Sequence, residues 1–379
     1  MRTLRACVAT AALMATSLGV SGQAIAATPV TAVGRPAVAG GHAPGVEGGA
    51  ELGRPGLIVN YPSRRSPRIP RIRASAFLVA DATTGAVLAA KRPHARYGPA
   101  STLKILTAIS LLPVLNPNAT VVASKRAVSV EPDLVGLKRG HRYKIADLFR
   151  ALLLISGNDA AIALAEATGS FSRGMALMNA EARRLRAYDT VAKQPNGLDA
   201  RGQHISVYDQ ALIARQALRT PAFLKYDQTL QAWFPITAHH RIQLFNQDQL
   251  LTEYRGFLGG KTGWTTPAKA TYVGMARRHG RTLIVTLLHA VPGTLFASAT
   301  KLLNWGFRMD GKIRPVGQLV SPLPSARAHA GATGPALASH MRAASSGGIL
   351  RPLTTGCLVF ATLAVGIYAL ARRRRIARR

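Results

Sequence analysis

Residues 101–112 read Ser-Thr-Leu-Lys-Ile-Leu-Thr-Ala-Ile-Ser-Leu-Leu. Apolar side chains recur there at helical spacing, a serine stands first and Pro99 lies just before it, so the pattern predicts a helix opening at Ser101. Lys104 breaks the apolar run three residues in, and at 3.6 residues per turn it shares a face with Ser101. A hydroxyl and an amine one turn apart can act as a nucleophile and its base. The same two residues could equally be a helix cap and a solvated lysine.

On the N-terminal side of this helix, the runs SAFLVAD (75–81) and GAVLAAK (85–91) flank Ala82-Thr83-Thr84 and predict a β-hairpin. On its C-terminal side, residues 145–155 and 160–167 predict two helices broken at Ser156-Gly157-Asn158, and residues 175–185 and 207–217 two more. Short strand-like runs follow at 256–264, 270–277 and 282–289, separated by turn residues, and an amphipathic helix closes the series at 295–305. A hairpin, then helices, then consecutive strands and a last helix predict an α+β fold: an antiparallel sheet flanked by helices, in a single domain over 74–318.

The ends are of different composition. Residues 1–27 carry Arg2 and Arg5, an apolar run and Ala24-Ile25-Ala26, the pattern of a cleaved signal peptide. Residues 28–73 are rich in Gly, Pro and Arg and read as a flexible linker, as do residues 319–352. Residues 353–371 carry no charge and would span about 28 Å as a helix, enough for a transmembrane segment. One arginine, Arg351, precedes them and a basic tail at 372–379 follows, so the positive-inside rule puts the tail in the cytoplasm and the 74–318 domain outside the cell membrane. The only cysteines, Cys7 and Cys357, fall in these terminal segments, leaving no thiol in the domain for a disulfide or a metal site.

The chain has 379 residues, 48% hydrophobic, which excludes wholesale disorder. Its 49 Lys and Arg against 16 Asp and Glu give a net charge of +33. A basic excess of that size suits nucleic acid or an anionic envelope surface, and the topology favours the second, so no nucleic-acid partner is expected.

Three short motifs carry chemistry: Ser101-Thr102-Leu103-Lys104 at a helix start, Ser156-Gly157-Asn158 between two helices, and Lys261-Thr262-Gly263 on a strand. Each alone is weak, and their order and placement raise the set. Their surroundings include Pro99-Ala100-Ser101, Asn158-Asp159-Ala160-Ala161, Asn196-Gly197-Leu198-Asp199, Asn246-Gln247-Asp248-Gln249-Leu250-Leu251, Gly260-Lys261-Thr262-Gly263-Trp264-Thr265 and Leu302-Leu303-Asn304-Trp305-Gly306-Phe307. On these residues the chain resembles the D-alanyl-D-alanine carboxypeptidases, low-molecular-mass penicillin-binding proteins of the serine β-lactamase-like superfamily, from about Ala76 to Phe307.

The resemblance implies a serine hydrolase that removes the terminal D-alanine of peptidoglycan stem pentapeptides and is acylated by β-lactams. Ser101 would be the nucleophile and Lys104 its base, a role that requires the amine to be neutral and so calls for burial and a nearby cation, with Lys261 the candidate. By the resemblance Ser156 relays the proton, Asn158 holds the peptide, and Lys261, Thr262, Gly263, Trp264 and Thr265 line the substrate. The backbone N–H groups of Ser101 and Trp264 would form the oxyanion hole. No cofactor or metal is implied. Many members carry an arginine for the substrate carboxylate in the loop that reads Val291-Pro292-Gly293-Thr294 here, so Arg277, Arg278, Thr262 and Thr265 are left as its candidate replacements.

Other classes fit less well. A class A β-lactamase needs a Glu-x-x-Leu-Asn string between Asn158 and Lys261, and none occurs. A P-loop would need glycine at Arg255. A metallopeptidase would need clustered ligands, and His239 and His240 stand in no such pattern. An inert wall-binding protein or β-lactam sensor would have no use for Ser101, Lys104 and Lys261 together.

Overall fold

The computed structural model describes residues 45–324. A seven-stranded antiparallel sheet forms its centre, built from β1 (Leu57–Ile58), β2 (Ala74–Asp81), β3 (Ala86–Lys91), β8 (Phe257–Thr265), β9 (Lys269–Arg278), β10 (Arg281–Ala290) and β11 (Gly317–Gln318). The strand order is β1-β3-β2-β10-β9-β8, with β11 also on β3. The predicted hairpin is β2–β3. Asp81 closes its turn by accepting from the Thr83 and Thr84 amides at 2.6 and 3.2 Å.

Both faces of the sheet are covered, which is why β2 and β10 read as unbroken apolar runs and not as alternating ones. Phe77, Val79, Leu283 and Val285 face Leu302 and Trp305 of α9 (Leu295–Met309). On the other face, Leu78, Ala80, Ile284 and Leu288 pack on a helical layer. That layer contains α1 (Lys104–Leu111), α2 (Lys125–Val128), α3 (Ile145–Leu154), α4 (Asn158–Glu166), α5 (Phe171–Arg184), α6 (Val207–Leu218) and α7 (Pro221–Asp227). Two ribbons, β4 (Thr120–Val122) with β5 (Arg142–Lys144) and β6 (Gln231–Pro235) with β7 (Arg241–Phe245), decorate it, and α8 (Leu250–Glu253) leads into β8.

Four expectations need correction. Residues 45–73 are not a loose linker: β1 pairs with β3, Leu52 and Ile58 are core residues, and the Trp305 indole N–H donates to the Pro67 carbonyl at 3.0 Å. Their Gly and Pro content serves turns that lay a short strand along a sheet edge. At the other end Leu319 is buried and the Leu323 amide donates to Arg184 O at 2.7 Å, so the folded unit runs past 318. Helix α5 begins at Phe171, four residues before the first expected residue, because Ser170 caps it by accepting from the Arg173 amide. Ser101 is not a helix cap. It lies inside a 3-10 turn, Ala100–Leu103, that precedes α1.

Among the described residues no helix is long and apolar enough to cross a membrane. The expected signal peptide at 1–27, the span at 353–371 and the tail at 372–379 lie outside the described residues.

Candidate active site

The 3-10 turn brings Ser101 and Lys104 together more closely than an α-helix would. With three residues per turn, side chains at i and i+3 eclipse, and Lys104 Nζ stands 2.8 Å from Ser101 Oγ. The turn is set by a left-handed residue: Ala100 has φ +46°, a conformation that persists only when its surroundings impose it. They do. The Pro99 carbonyl accepts from Thr102 Oγ1 at 2.6 Å and from Thr271 Oγ1 of β9 at 2.9 Å, and Gln210 of α6 donates to Thr102 Oγ1 at 2.6 Å. Behind the turn, a Cβ on Gly197 would stand 1.9 Å from the Ala100 carbonyl, and Gly197 itself has φ +83°, so only glycine fits there.

Lys104 is completely buried. Its Nζ has two further neighbours, Asn158 Oδ1 and the Asn196 carbonyl, each at 2.7 Å. The Asn158 amide is oriented by its other end, where Nδ2 donates to the Glu131 carbonyl at 3.0 Å, so both of these neighbours of Lys104 can only accept. A neutral amine has two N–H groups and one lone pair. Two acceptor-only partners take the N–H groups and leave the lone pair directed at Ser101 Oγ. Burial, reinforced by the Lys261 ammonium, holds Lys104 well below the ordinary lysine range, against the opposing pull of Asp133 and Asp159.

Lys261, on β8, is buried as well and is brought down to about 8 by burial, opposed by Asp227, Asp248 and Asp133. Asp248 accepts from Tyr272 Oη at 2.9 and 3.1 Å and is itself pushed up to about 6 by burial. Asp227 is raised well above the carboxylate range by burial and by Asp248. The strand that carries Lys261 passes hard against Ser101: a Cβ on Gly263 would lie 2.6 Å from the Ser101 amide nitrogen. Thr265, two residues on, donates to Asp199 Oδ1 at 3.0 Å and so ties the β8–β9 turn to the Asn196–Asp199 turn.

Ser156 joins α3 to α4 with φ +64°, and its buried Oγ makes no hydrogen bond among the described residues. Asp159 organises the neighbouring loop. Its carboxylate accepts from the Val135, Gly136, Leu137 and Ala160 amides at 2.8–3.0 Å, while the Asn158 amide donates to the Asp133 carbonyl.

The structure thus gathers Ser101, Lys104, Asn158 and Gly263 within direct contact and adds Lys261 as a through-space cation. Thr262 is partly exposed beside it, and Trp264 is more than half exposed. Arg277 and Arg278 are removed from the candidate carboxylate anchors, because both lie at the opposite end of β9 from the β8–β9 turn, and Arg277 is engaged with Thr282 Oγ1.

A family model described as D-alanyl-D-alanine carboxypeptidase matches residues 63–291. The chain belongs to the D-alanyl-D-alanine carboxypeptidase family. It is a serine peptidase of that family, similar to D-alanyl-D-alanine carboxypeptidase DacB2 of Mycobacterium tuberculosis, with 38% identity over 248 residues that cover 64% of this chain and 85% of the relative. Among solved structures it is similar to a D-alanyl-D-alanine carboxypeptidase from M. tuberculosis H37Rv (36% identity, TM-score 0.65, 69% of this chain and 99% of that one). The Streptomyces K15 DD-transpeptidase is also similar (27% identity, TM-score 0.60, 64% of this chain and 100% of that one).

The roles of Asp133, Asp159, Asp227, Asp248, Tyr272 and the Asn196 carbonyl in this carboxypeptidase-family site were not legible from the motifs. One signal was available. The chain has only 16 acidic residues in a background of 49 basic ones, and Asp133, Asp159, Asp199, Asp227 and Asp248 all stand around the site. In such a chain an acid within an apolar stretch is worth examining as a designed partner for a buried cation.

Proposed function

We propose that the chain removes the terminal D-alanine of peptidoglycan stem pentapeptides through an acyl-serine intermediate, working on the outer side of the cell membrane. The observation that carries the reading is the 2.8 Å approach of a fully buried lysine amine to Ser101 Oγ, with acceptor-only partners on its other two sides.

In the first step Ser101 Oγ attacks the carbonyl carbon of the penultimate D-alanine and its proton passes to Lys104 Nζ. The oxyanion lies against the Ser101 and Trp264 amides. As the C–N bond breaks, the departing amine takes a proton through Ser156, and D-alanine leaves. Water then attacks the ester carbonyl, gives its proton to the same base, and releases the shortened peptide with Ser101 restored. Asn158 holds the peptide amide. Lys261 stays charged and, with Thr262, faces the terminal carboxylate, since no arginine occupies residues 291–294. Outer-side placement is supported by the signal-peptide pattern at 1–27 and by the charge asymmetry about 353–371.

A β-lactam presents a strained amide beside a carboxylate, so Ser101 opens its ring by the same attack. The amine formed stays tethered where D-alanine would have left, and no Glu-x-x-Leu-Asn loop is present to activate water. The test is therefore mass spectrometry of the penicillin-treated chain alongside D-alanine release from a stem pentapeptide. One stable penicilloyl group per chain, mapped to Ser101 and absent in Ser101→Ala, is expected. No adduct removes Ser101 as nucleophile. Penicillin turnover as fast as D-alanine release makes the chain a β-lactamase instead.

A further inference from the structure

Far from the nucleophile, an open pocket of about 570 Å³ lies between the β9–β10 turn and α9, lined by Pro70, Arg278, His279, Lys301, Phe307 and Arg308 along with Asn304. Arg278 ends β9, whose first residue, Lys269, pairs with Thr265 beside the active site. At about 3.3 Å per residue the two ends are roughly 30 Å apart. The pocket therefore takes no part in the chemistry.

One of its cations, Arg278, is held unlike an ordinary surface cation. Arg278 Cζ lies 4.1 Å from the Tyr254 ring centroid and 5.3 Å from that of Phe307. Its Nε donates to the Arg255 carbonyl at 3.0 Å, and Nη1 donates to Asn304 Oδ1 at 3.2 Å. Asn304 Oδ1 is fixed in turn by Tyr254 Oη at 2.9 Å. Two of the five guanidinium N–H groups are used in this way, and three remain. The side chain has thus already given up the rotamer freedom that usually opposes ion binding at a surface, yet no acid lines the pocket.

Lys301, Asn304 and Arg308 follow at i, i+3 and i+7 on one face of α9. Among the described residues neither Arg278, Lys301 nor Arg308 takes part in an ion pair, whereas Arg281, on the next strand, is paired with Asp310 at 3.1 Å. Cations grouped without counter-charge repel one another, and an anion that enters relieves the repulsion.

We propose that this pocket binds a phosphate group. Three positive charges, one of them a fixed forked donor, match a phosphate better than a single carboxylate, while Phe307 and Pro70 provide an apolar wall for the carbons of an attached glycerol or sugar. Bound there, a phosphate-bearing polymer or lipid headgroup would hold the enzyme in place without obstructing the Ser101 site.

The test uses the full-length chain in detergent at low ionic strength, with a soluble oligo(glycerol phosphate) as probe. Two variants are compared with the wild type: the Lys301→Glu, Arg308→Glu pair, and the Arg173→Glu, Arg183→Glu pair, which makes the same change in net charge at exposed residues of α5, across the sheet from α9. The first should weaken binding at least tenfold and the second less than twofold, with D-alanine release unchanged in both. Vesicles containing phosphatidylglycerol, run in parallel, identify the source: a pocket-dependent loss with vesicles points to a lipid headgroup, and with the oligomer to a polymer. Equal losses in the two pairs, or no binding of either probe by the wild type, would overturn the site. Polyglutamate of equal charge binding as tightly as the oligomer would overturn the phosphate assignment.

Discussion

A Cβ placed on Gly263 would lie 2.6 Å from the backbone nitrogen of Ser101. Strand β8 and the nucleophile turn are therefore as close as two backbones can be with nothing between them, and one methyl group must push them apart. Gly263→Ala is expected to lower D-alanine release by about a hundredfold, the scale on which a lost oxyanion donor is felt. Overpacking should cost about 1–3 kcal/mol of stability, leaving a folded protein. Steady-state kinetics beside a thermal melt check it, and near wild-type turnover would mean that the strand and the turn are not held together.

The base assignment makes Lys104→Arg the informative substitution. A guanidinium keeps its charge at any working pH, so it cannot accept the Ser101 proton. Turnover should fall by roughly a thousandfold or more, within the range assigned to general-base catalysis, and penicilloyl transfer to Ser101 should slow in parallel. Retained turnover would transfer the base role to Lys261 or to water.

With Lys104 as the proposed base and Lys261 as the proposed cation, the pH profile should be bell-shaped. Activity rises as Lys104 loses its proton, and it falls as Lys261, brought down to about 8, loses its own. Asp248 opposes that loss with its negative charge, so Asp248→Asn should move the alkaline limb to lower pH while leaving the acid limb nearly in place. An alkaline limb that does not move in Asp248→Asn would separate it from Lys261.

Asp159 satisfies four backbone N–H groups with one carboxylate. Asp159→Ala leaves buried donors unpaired at about 1–3 kcal/mol each, a loss felt first in the 131–137 loop that orients Asn158. Hydrogen exchange at Val135, Gly136 and Leu137 should quicken more than at the β10 core, and D-alanine release should fall with it. Uniform loss of protection across the domain would instead make Asp159 a general stability residue.

The sheet, the hairpin and most of the helices were legible because β2, β10 and α9 carry long apolar patterns whose period does not depend on distant partners. The three motifs were legible for a similar reason, each being local in sequence. The 3-10 turn at Ala100–Leu103 was not, since a left-handed alanine is imposed by Thr271, Gln210 and Gly197, residues about 100 or more positions away. The β6–β7 ribbon was missed because its inward face, Ala232, Phe234, Ile242 and Leu244, is hidden in the sequence by apolar Trp233 and Phe245, which stand more than half exposed on the outward face and blur the alternation.

Residues 45–73 were mistaken for linker because their buried side chains, Leu52, Ile58 and Ile72, are spaced too irregularly to show a period, and the rest of their contribution, a two-residue strand and the Pro67 carbonyl that accepts from Trp305, is made by backbone. A chain cut to begin at 74 should consequently lose the burial of Leu52, Ile58 and Ile72, about 1.5–3 kcal/mol for each. Its melting temperature should drop by on the order of 10 °C relative to a chain beginning at 45.

The strand order has one more outcome. Both short outer strands, β1 and β11, lie on β3, so that margin of the sheet offers only two-residue edges, while the other margin is β8, nine residues long and unpaired on its outer side among the described residues. Very short edge strands give little purchase for stacking with further copies, and the long open edge is the strand that carries Lys261, Thr262 and Thr265. The backbone groups able to template a visiting extended peptide are thus concentrated beside the nucleophile, and strand addition there would present a peptide to Ser101 in a fixed direction.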